Sequence, residues 1–147
     1  MADSVDIMLK RARDARSAGR LAAADEAYRD AAALARAGND PDGLAHALRH
    51  LSDLARERGE LAAASLHADE AIALYREIAD DRLGLANALR LRALSTAAEH
   101  AKQYWREARD LYSSLGIAAG FAECDAQISA IEPRSAPRPA SPAPEER

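Results

Sequence analysis

The sequence predicts an all-α fold assembled from repeated helix pairs, and three observations carry that prediction. First, alanine makes up about a quarter of the 147 residues and arginine far outnumbers lysine. Valine and threonine are nearly absent, so strong helix formers dominate and no strand-like alternation is sustained. Second, segments recur at a nearly fixed distance. The turn Ala18-Gly19-Arg20-Leu21 anticipates Arg58-Gly59-Glu60-Leu61 at a shift of 40. Gly43-Leu44-Ala45 returns as Gly84-Leu85-Ala86 at a shift of 41, and as Gly120-Phe121-Ala122 after a further 36. Recurrence of this length marks stacked supersecondary units. Third, the second helix of each unit repeats one spacing: Ala24, Tyr28, Ala31, Leu34; then Ala64, Ala68, Ala71, Leu74; then Ala101, Trp105, Ala108, Leu111. Steps of four, three and three keep these residues on one helix face.

The elements follow in order. Asp3 or Ser4 can cap a first helix, a side-chain oxygen satisfying a free backbone N–H. That helix runs to about Ser17, with Met8, Ala12 and Ala15 inward. After Gly19 a second helix spans about Leu21 to Ala37. Gly38-Asn39-Asp40-Pro41-Asp42 is a stop and restart, because glycine ends a helix and proline cannot continue one. The third helix covers about Gly43 to Glu57, and the fourth runs from beyond Gly59 to about Ile78. Asp80-Asp81 then places negative charge at a helix start, where the dipole favours it. The third unit, Leu83 to Gly116, has no glycine at its internal joint. Its shift falls from 41 in the first helix to 37 between Tyr75 and Tyr112, so about four residues have been lost. The break is expected between Ser95 and Glu99; one long bent helix is the alternative. A closing helix from about Ala119 to Ile131 carries Phe121, Cys124, Ile128 and Ile131 on one stripe and covers the apolar end. From Pro133 the composition changes to PRSAPRPASPAPEER, which predicts a disordered, polyproline-like tail. The domain division is therefore 1–132 helical repeats and 133–147 tail.

At this point the chain resembles the tetratricopeptide repeat family. The resemblance rests on the small-x3-aromatic-x2-small pattern of the second helices and on Leu48, Leu51 and Ser52 in a first helix. Met8 with Ala12, and Leu89 with Ala93, match that first-helix pattern more loosely. It covers roughly residues 4–131 and implies a right-handed α-solenoid of three helix pairs plus a C-terminal capping helix. The period near 40 departs from the family's standard of about 34, the usual closing proline is missing unless Pro41 stands in, and the third unit lacks its glycine turn. Longer variants of the kinesin light chain type are closer.

Composition limits function. A net charge of −4 argues against a generic nucleic-acid binder. The single cysteine, Cys124, excludes an internal disulfide and the usual thiolate zinc sites, and reads as a small buried hydrophobe. No apolar run approaches a membrane span, and the N-terminal stretch has no signal-peptide pattern, so a soluble, cytoplasmic protein is expected. No phosphate loop, GxSxG, HExxH or CxxC motif is present. No catalytic residue, cofactor or metal is therefore expected. His46 and His50, at i and i+4, have the spacing of a two-histidine metal face. With at most Asp53 nearby, they read instead as solvated groove residues.

In the resembled family the first helices line the concave side. Carried over, that face holds Asp6, Lys10, Arg13 and Arg16 in the first unit. It holds His46, Arg49, His50, Asp53 and Arg56 in the second, and Asn87, Arg90 and Leu94 in the third. The peptide-binding set expected from this is Lys10, Arg13, His46, Arg49, His50, Asp53, Asn87 and Arg90. Arg49 and Arg90 match through Ala-His-Ala-Leu-Arg and Ala-Asn-Ala-Leu-Arg. Two guanidiniums side by side would make the groove basic and suit an acidic or carboxylate-ended peptide. The expected partner is a protein or peptide rather than nucleic acid or membrane. Self-association through Ala119, Ala126 and Ala130 stands as the alternative, and a histidine-based metal protein as a more distant one. The tail is read as a linker, a ligand for a proline-binding partner, or an occupant of the groove.

Overall fold

The computed structural model describes residues 4–132 and is helical throughout, with no strand among those residues. Seven helices follow one another: α1 Val5–Ser17, α2 Leu21–Ala37, α3 Pro41–Glu57, α4 Leu61–Glu77, α5 Arg82–Leu94, α6 Ala98–Ser114 and α7 Ala118–Ile131. The expectation for the tail at 133–147 lies outside the described residues.

Local chemistry sets the boundaries. Ser4, Asp40 and Asp81 each cap the odd helix that follows. Their side-chain oxygens accept from Ile7 N at 3.3 Å, Gly43 N at 2.9 Å and Gly84 N at 2.7 Å. The turns after α1 and α3 run through Gly19 (φ 75°) and Gly59 (φ 77°), a left-handed backbone that costs a side-chain-bearing residue strain. Pro41 belongs to the first turn of α3 rather than preceding the helix, because its missing N–H would have no helical partner there. The glycine-free joint is a true break at Ser95–Ala97. It arises because α5 has 13 residues where α3 has 17, so the lost residues come from its last turn. Ser95 stabilises that early end by donating its hydroxyl to Arg92 O at 3.0 Å.

Each helix packs on the next, and α3 also touches α1 and α5. The alanine-spaced faces of the even helices vanish between neighbours: Ala24, Tyr28, Ala31, Ala64, Ala68, Ala71, Ala101, Trp105 and Ala108 are all buried. Methyl side chains let the helix axes approach, while Tyr28 and Trp105 fill the space between them. One ion pair recurs from unit to unit. Arg36 of α2 bonds Glu70 of α4 at 2.7 Å, and Arg76 of α4 bonds Glu107 of α6 at 2.8 Å. Both arginines are the sixteenth residue of their helix and both glutamates the tenth, so α2 relates to α4 as α4 does to α6.

Two core expectations are corrected. Leu9, not Met8, is the buried residue of α1's first turns, with Met8 half-buried. On α7 only Cys124 and Ile128 are buried, and Phe121 is 39% exposed. Phe121 occupies the slot of Leu44 and Leu85. Those two share their hollows with Leu74 of α4 and Leu111 of α6, and no described helix follows α7 to do the same.

The recurring first-turn glycines have a packing cause. A Cβ on Gly84 would lie 2.7 Å from Tyr75 Cζ, and one on Gly120 would lie 2.6 Å from Tyr112 Cγ. Both rings are buried and cannot swing away. Gly84→Ala therefore loses stability although alanine is the better helix former. Overpacking of about 1–3 kcal/mol outweighs a propensity gain of up to about 1 kcal/mol. Urea unfolding followed by far-UV circular dichroism reads the difference; a stabilised variant would show that the ring yields.

Candidate functional site

The odd helices present a continuous polar series. Arg16 reaches from α1 to α3, where Nη2 donates to Asp53 Oδ2 at 2.5 Å and to Glu57 Oε1 at 3.0 Å. Arg90 reaches from α5 to α7, where Nε and Nη2 donate to the two carboxylate oxygens of Glu123 at 2.5 and 2.9 Å. Between these two clamps no ion pair joins α3 to α5 among the described residues. At that place lies a hollow of about 170 Å³, lined by Arg49, His50, Asp53, Asn87, Arg90 and Leu91.

The helical repeat brings these residues together. Arg49 and Asp53 stand one turn apart on α3, as Asn87 and Arg90 do on α5, and both pairs face the seam between the helices. Five of the eight residues in the expected peptide-binding set thus meet in one hollow. Lys10 and Arg13 stay exposed on α1 outside it, and His46 lies half-buried beside it.

His46 and His50 are half-buried and packed against neighbouring rings rather than simply solvated. His50 stacks on the buried Tyr28 ring, centroids 4.7 Å apart and planes 6° from parallel. His46 tilts against it at 4.7 Å and 59°. Arg16 Nη1 lies 3.1 Å from His50 Nδ1. A guanidinium can only donate, so Nδ1 accepts and the ring is neutral. Burial first, then the charges of Arg49, His46 and Arg16, push His50 down to about 3. Burial and Arg49 lower His46 in the same direction. No group of three or more metal-competent side chains comes together among the described residues.

Burial alone would raise the Asp53 carboxyl, but hydrogen bonds and charge from Arg16 and Arg56 outweigh it and hold Asp53 ionised below the usual range. Arg56 Nη2 donates to Asp53 Oδ1 at 2.7 Å. The Glu123 carboxylate likewise holds Arg90 more firmly protonated than an isolated guanidinium. Around the hollow four guanidiniums, Arg16, Arg49, Arg56 and Arg90, meet three carboxylates, Asp53, Glu57 and Glu123. One positive charge is left over. It belongs to Arg49, which has no carboxylate partner among the described residues. Arg49 interacts with the Tyr75 hydroxyl, and its Nε is buried without an acceptor. Arg49 and Arg90 line one hollow, but of these two guanidiniums Arg90 is already taken, by a residue outside the first helices of the three units. The recurrence of Gly84 at Gly120 was the signal that α7 shares their register.

A larger hollow, about 400 Å³, lies at the α5–α6 joint beside Glu99 and His100. Its arginine, Arg92, is already bonded to Asp69 at 2.8 Å and sits 5.1 Å from the Tyr104 ring centre. Cys124 is fully buried, and its thiol is pushed up to about 11, mainly by that burial. It is protonated at neutral pH and is no nucleophile.

No protein-family model matches this chain, and neither does any curated protein. No described helix is long and apolar enough to cross a membrane.

Proposed function

We propose that this chain is a non-catalytic protein-interaction module of the tetratricopeptide kind: a right-handed solenoid of three helix pairs with α7 as its cap. The odd helices line the concave side and receive an extended peptide or a partner helix bearing acidic groups. The unit-to-unit recurrence of the Arg36–Glu70 and Arg76–Glu107 pairs supports the solenoid. The observation that carries the function is the unneutralised Arg49 in a polar hollow between α3 and α5. A cation retained there at a desolvation cost is more than stability alone requires.

The test is an array of peptides graded in aspartate and glutamate content, probed with the full chain. Retention is expected to concentrate on acidic members. Arg49→Ala should lower it about tenfold or more, since a charge-assisted hydrogen bond contributes about 1.5–3 kcal/mol. Binding indifferent to peptide charge, or unchanged in the variant with its circular dichroism intact, removes the proposal.

A second reading, self-association, draws on α7. Its exposed positions Ala119, Phe121, Ala122, Ala126 and Ala130 are small or apolar, with the exposed Asp125 among them bonded to Arg109. Light scattering over a range of concentrations separates an oligomer from a monomeric binder.

A further inference from the structure

Three hollows recur along the chain in one register. The first is lined by Ala35, Arg36, Leu44 and Leu74, the second by Tyr75, Arg76, Leu85 and Leu111. The third, about 280 Å³, has Tyr112, Ser113 and Phe121 in the corresponding places. In the first two an even helix, α4 or α6, closes the hollow with its leucine. No described helix does so at Phe121, which leaves an apolar seat with the half-buried Ile117 beside it.

The slots around that seat show what would fill it. Four residues before each closing leucine stands a glutamate, Glu70 or Glu107. It bonds the arginine of the hollow it helps to close, Arg36 or Arg76. At the third hollow Ser113 replaces that arginine, so an incoming glutamate would meet a hydroxyl in place of a guanidinium. Asp110, one turn before Ser113, takes the slot held by Ala33 in α2 and Ala73 in α4. Asp125 stands one turn beyond Phe121 on the exposed side of α7. Arg109 lies between them, 3.9 Å from Asp110 and 3.3 Å from Asp125, one cation for two exposed carboxylates. The internal seats thus suit an acidic helix and the terminal one a basic helix. A second copy fits poorly. Its even helices carry Asp30, Glu70 or Glu107 in the deciding slot. An antiparallel pair of α7 helices would set Asp125, at the midpoint of Ala118–Ile131, against its twin.

We infer that the seat at Phe121 receives an amphipathic helix of another protein, antiparallel to α7 as α4 is to α3. That helix places an apolar side chain over Phe121 and carries lysine or arginine one turn before it. Both the surface and the sign of charge differ from those of the concave side, so the inference stands apart from the peptide-binding reading.

The experiment titrates the full chain with two stapled helical peptides, since free helices of this length are marginal in water. One has the sequence of α4, Leu61–Glu77; the other differs only by Glu70→Lys. Proton NMR reads the ring of Phe121, the chain's only phenylalanine. The lysine peptide is expected to shift that ring saturably and to bind at least fivefold more tightly than the α4 sequence. Raised salt should narrow the gap. Ser113→Arg restores the internal pattern and should reverse the preference. Asp110→Asn with Asp125→Asn should abolish it, and Phe121→Ala should weaken both peptides. Arg49→Ala should change nothing here, which separates this surface from the concave one. Absence of saturable shifts at Phe121, or a lysine preference unmoved by Ser113→Arg and by the double asparagine variant, overturns the inference. A Phe121 ring that ignores the peptides but shifts on dilution, or on deleting residues 133–147, also overturns it. The seat then belongs to a second copy or to the chain's own tail.

Discussion

Replacing Trp105 with alanine lowers the free energy of unfolding by about 3–5 kcal/mol, the range for removing a large aromatic from a packed core. The ring is 2% exposed in the middle of α6, between Ala101 and Ala108, which are equally buried. Its nearest neighbours on the stripe, Ala101 and Ala108, are too small to move in, and Leu111 and Tyr112 lie more than a turn further along the helix. Alanine methyls are fixed to the backbone, so the cavity closes only if whole helices shift. α6 packs on both α5 and α7, and such a shift would disturb two seams. The equivalent slot in α4 is filled by Ala68, but there Ile72 adds bulk one turn on, where α6 has Arg109. Far-UV circular dichroism in urea reads the change, since the variant lacks the protein's only tryptophan. A loss under about 1 kcal/mol would mean the ring is not gripped between helices. Against a total stability of about 5–15 kcal/mol, the expected loss is a large fraction.

Acidification from pH 7.5 to 5 costs about 2 kcal/mol through His50 alone. Unfolded, this histidine takes its proton near 6.5; folded, it does so only near 3. Between those values the unfolded chain holds a proton that the folded chain lacks, so acid favours unfolding. The stabilisation is complete above about pH 6.5 and drains away as pH falls toward 3. At pH 5 the difference corresponds to about one and a half pH units of linkage at about 1.4 kcal/mol each. His46 and His67 are lowered as well, chiefly by burial, and add in the same direction. Asp25 and Asp53, held below the usual range by their arginine partners, act only at lower pH. His50→Phe keeps an aromatic ring against Tyr28 and removes the titration. Its urea midpoint should therefore vary less between pH 7.5 and 5, by the equivalent of about 2 kcal/mol. An unchanged pH profile would place His50 in water.

The helices were legible because their ends are written in local chemistry. Gly19, Gly59 and the Asp40-Pro41 restart each dictate a backbone geometry without reference to the rest of the chain. Even the glycine-free joint could be located, from four residues missing between matched tyrosines. The seam residues Arg49, His50, Asp53, Asn87 and Arg90 were expected together because the family resemblance puts the first helices on one side, and the match of Ala-His-Ala-Leu-Arg with Ala-Asn-Ala-Leu-Arg set their register. What escaped depends on how helices are rotated against one another. Ile7, Met8 and Leu9 are three apolar residues in a row, and only packing selects Leu9. The pairing of Arg90 with Glu123, and the stacking of His50 on Tyr28, join helices whose mutual setting no single segment encodes.

Asp125 lies five residues beyond Gly120, the slot in which Leu48 and Leu89 are buried, and it bonds Arg109 at 3.3 Å instead. An engineer who wished to lengthen this molecule would find half the work done, since Phe121 already offers an apolar seat for an added helix. The aspartate is the other half. Left in place, it would force any appended segment to bury a charge, so the extension would have to begin by rewriting that one position.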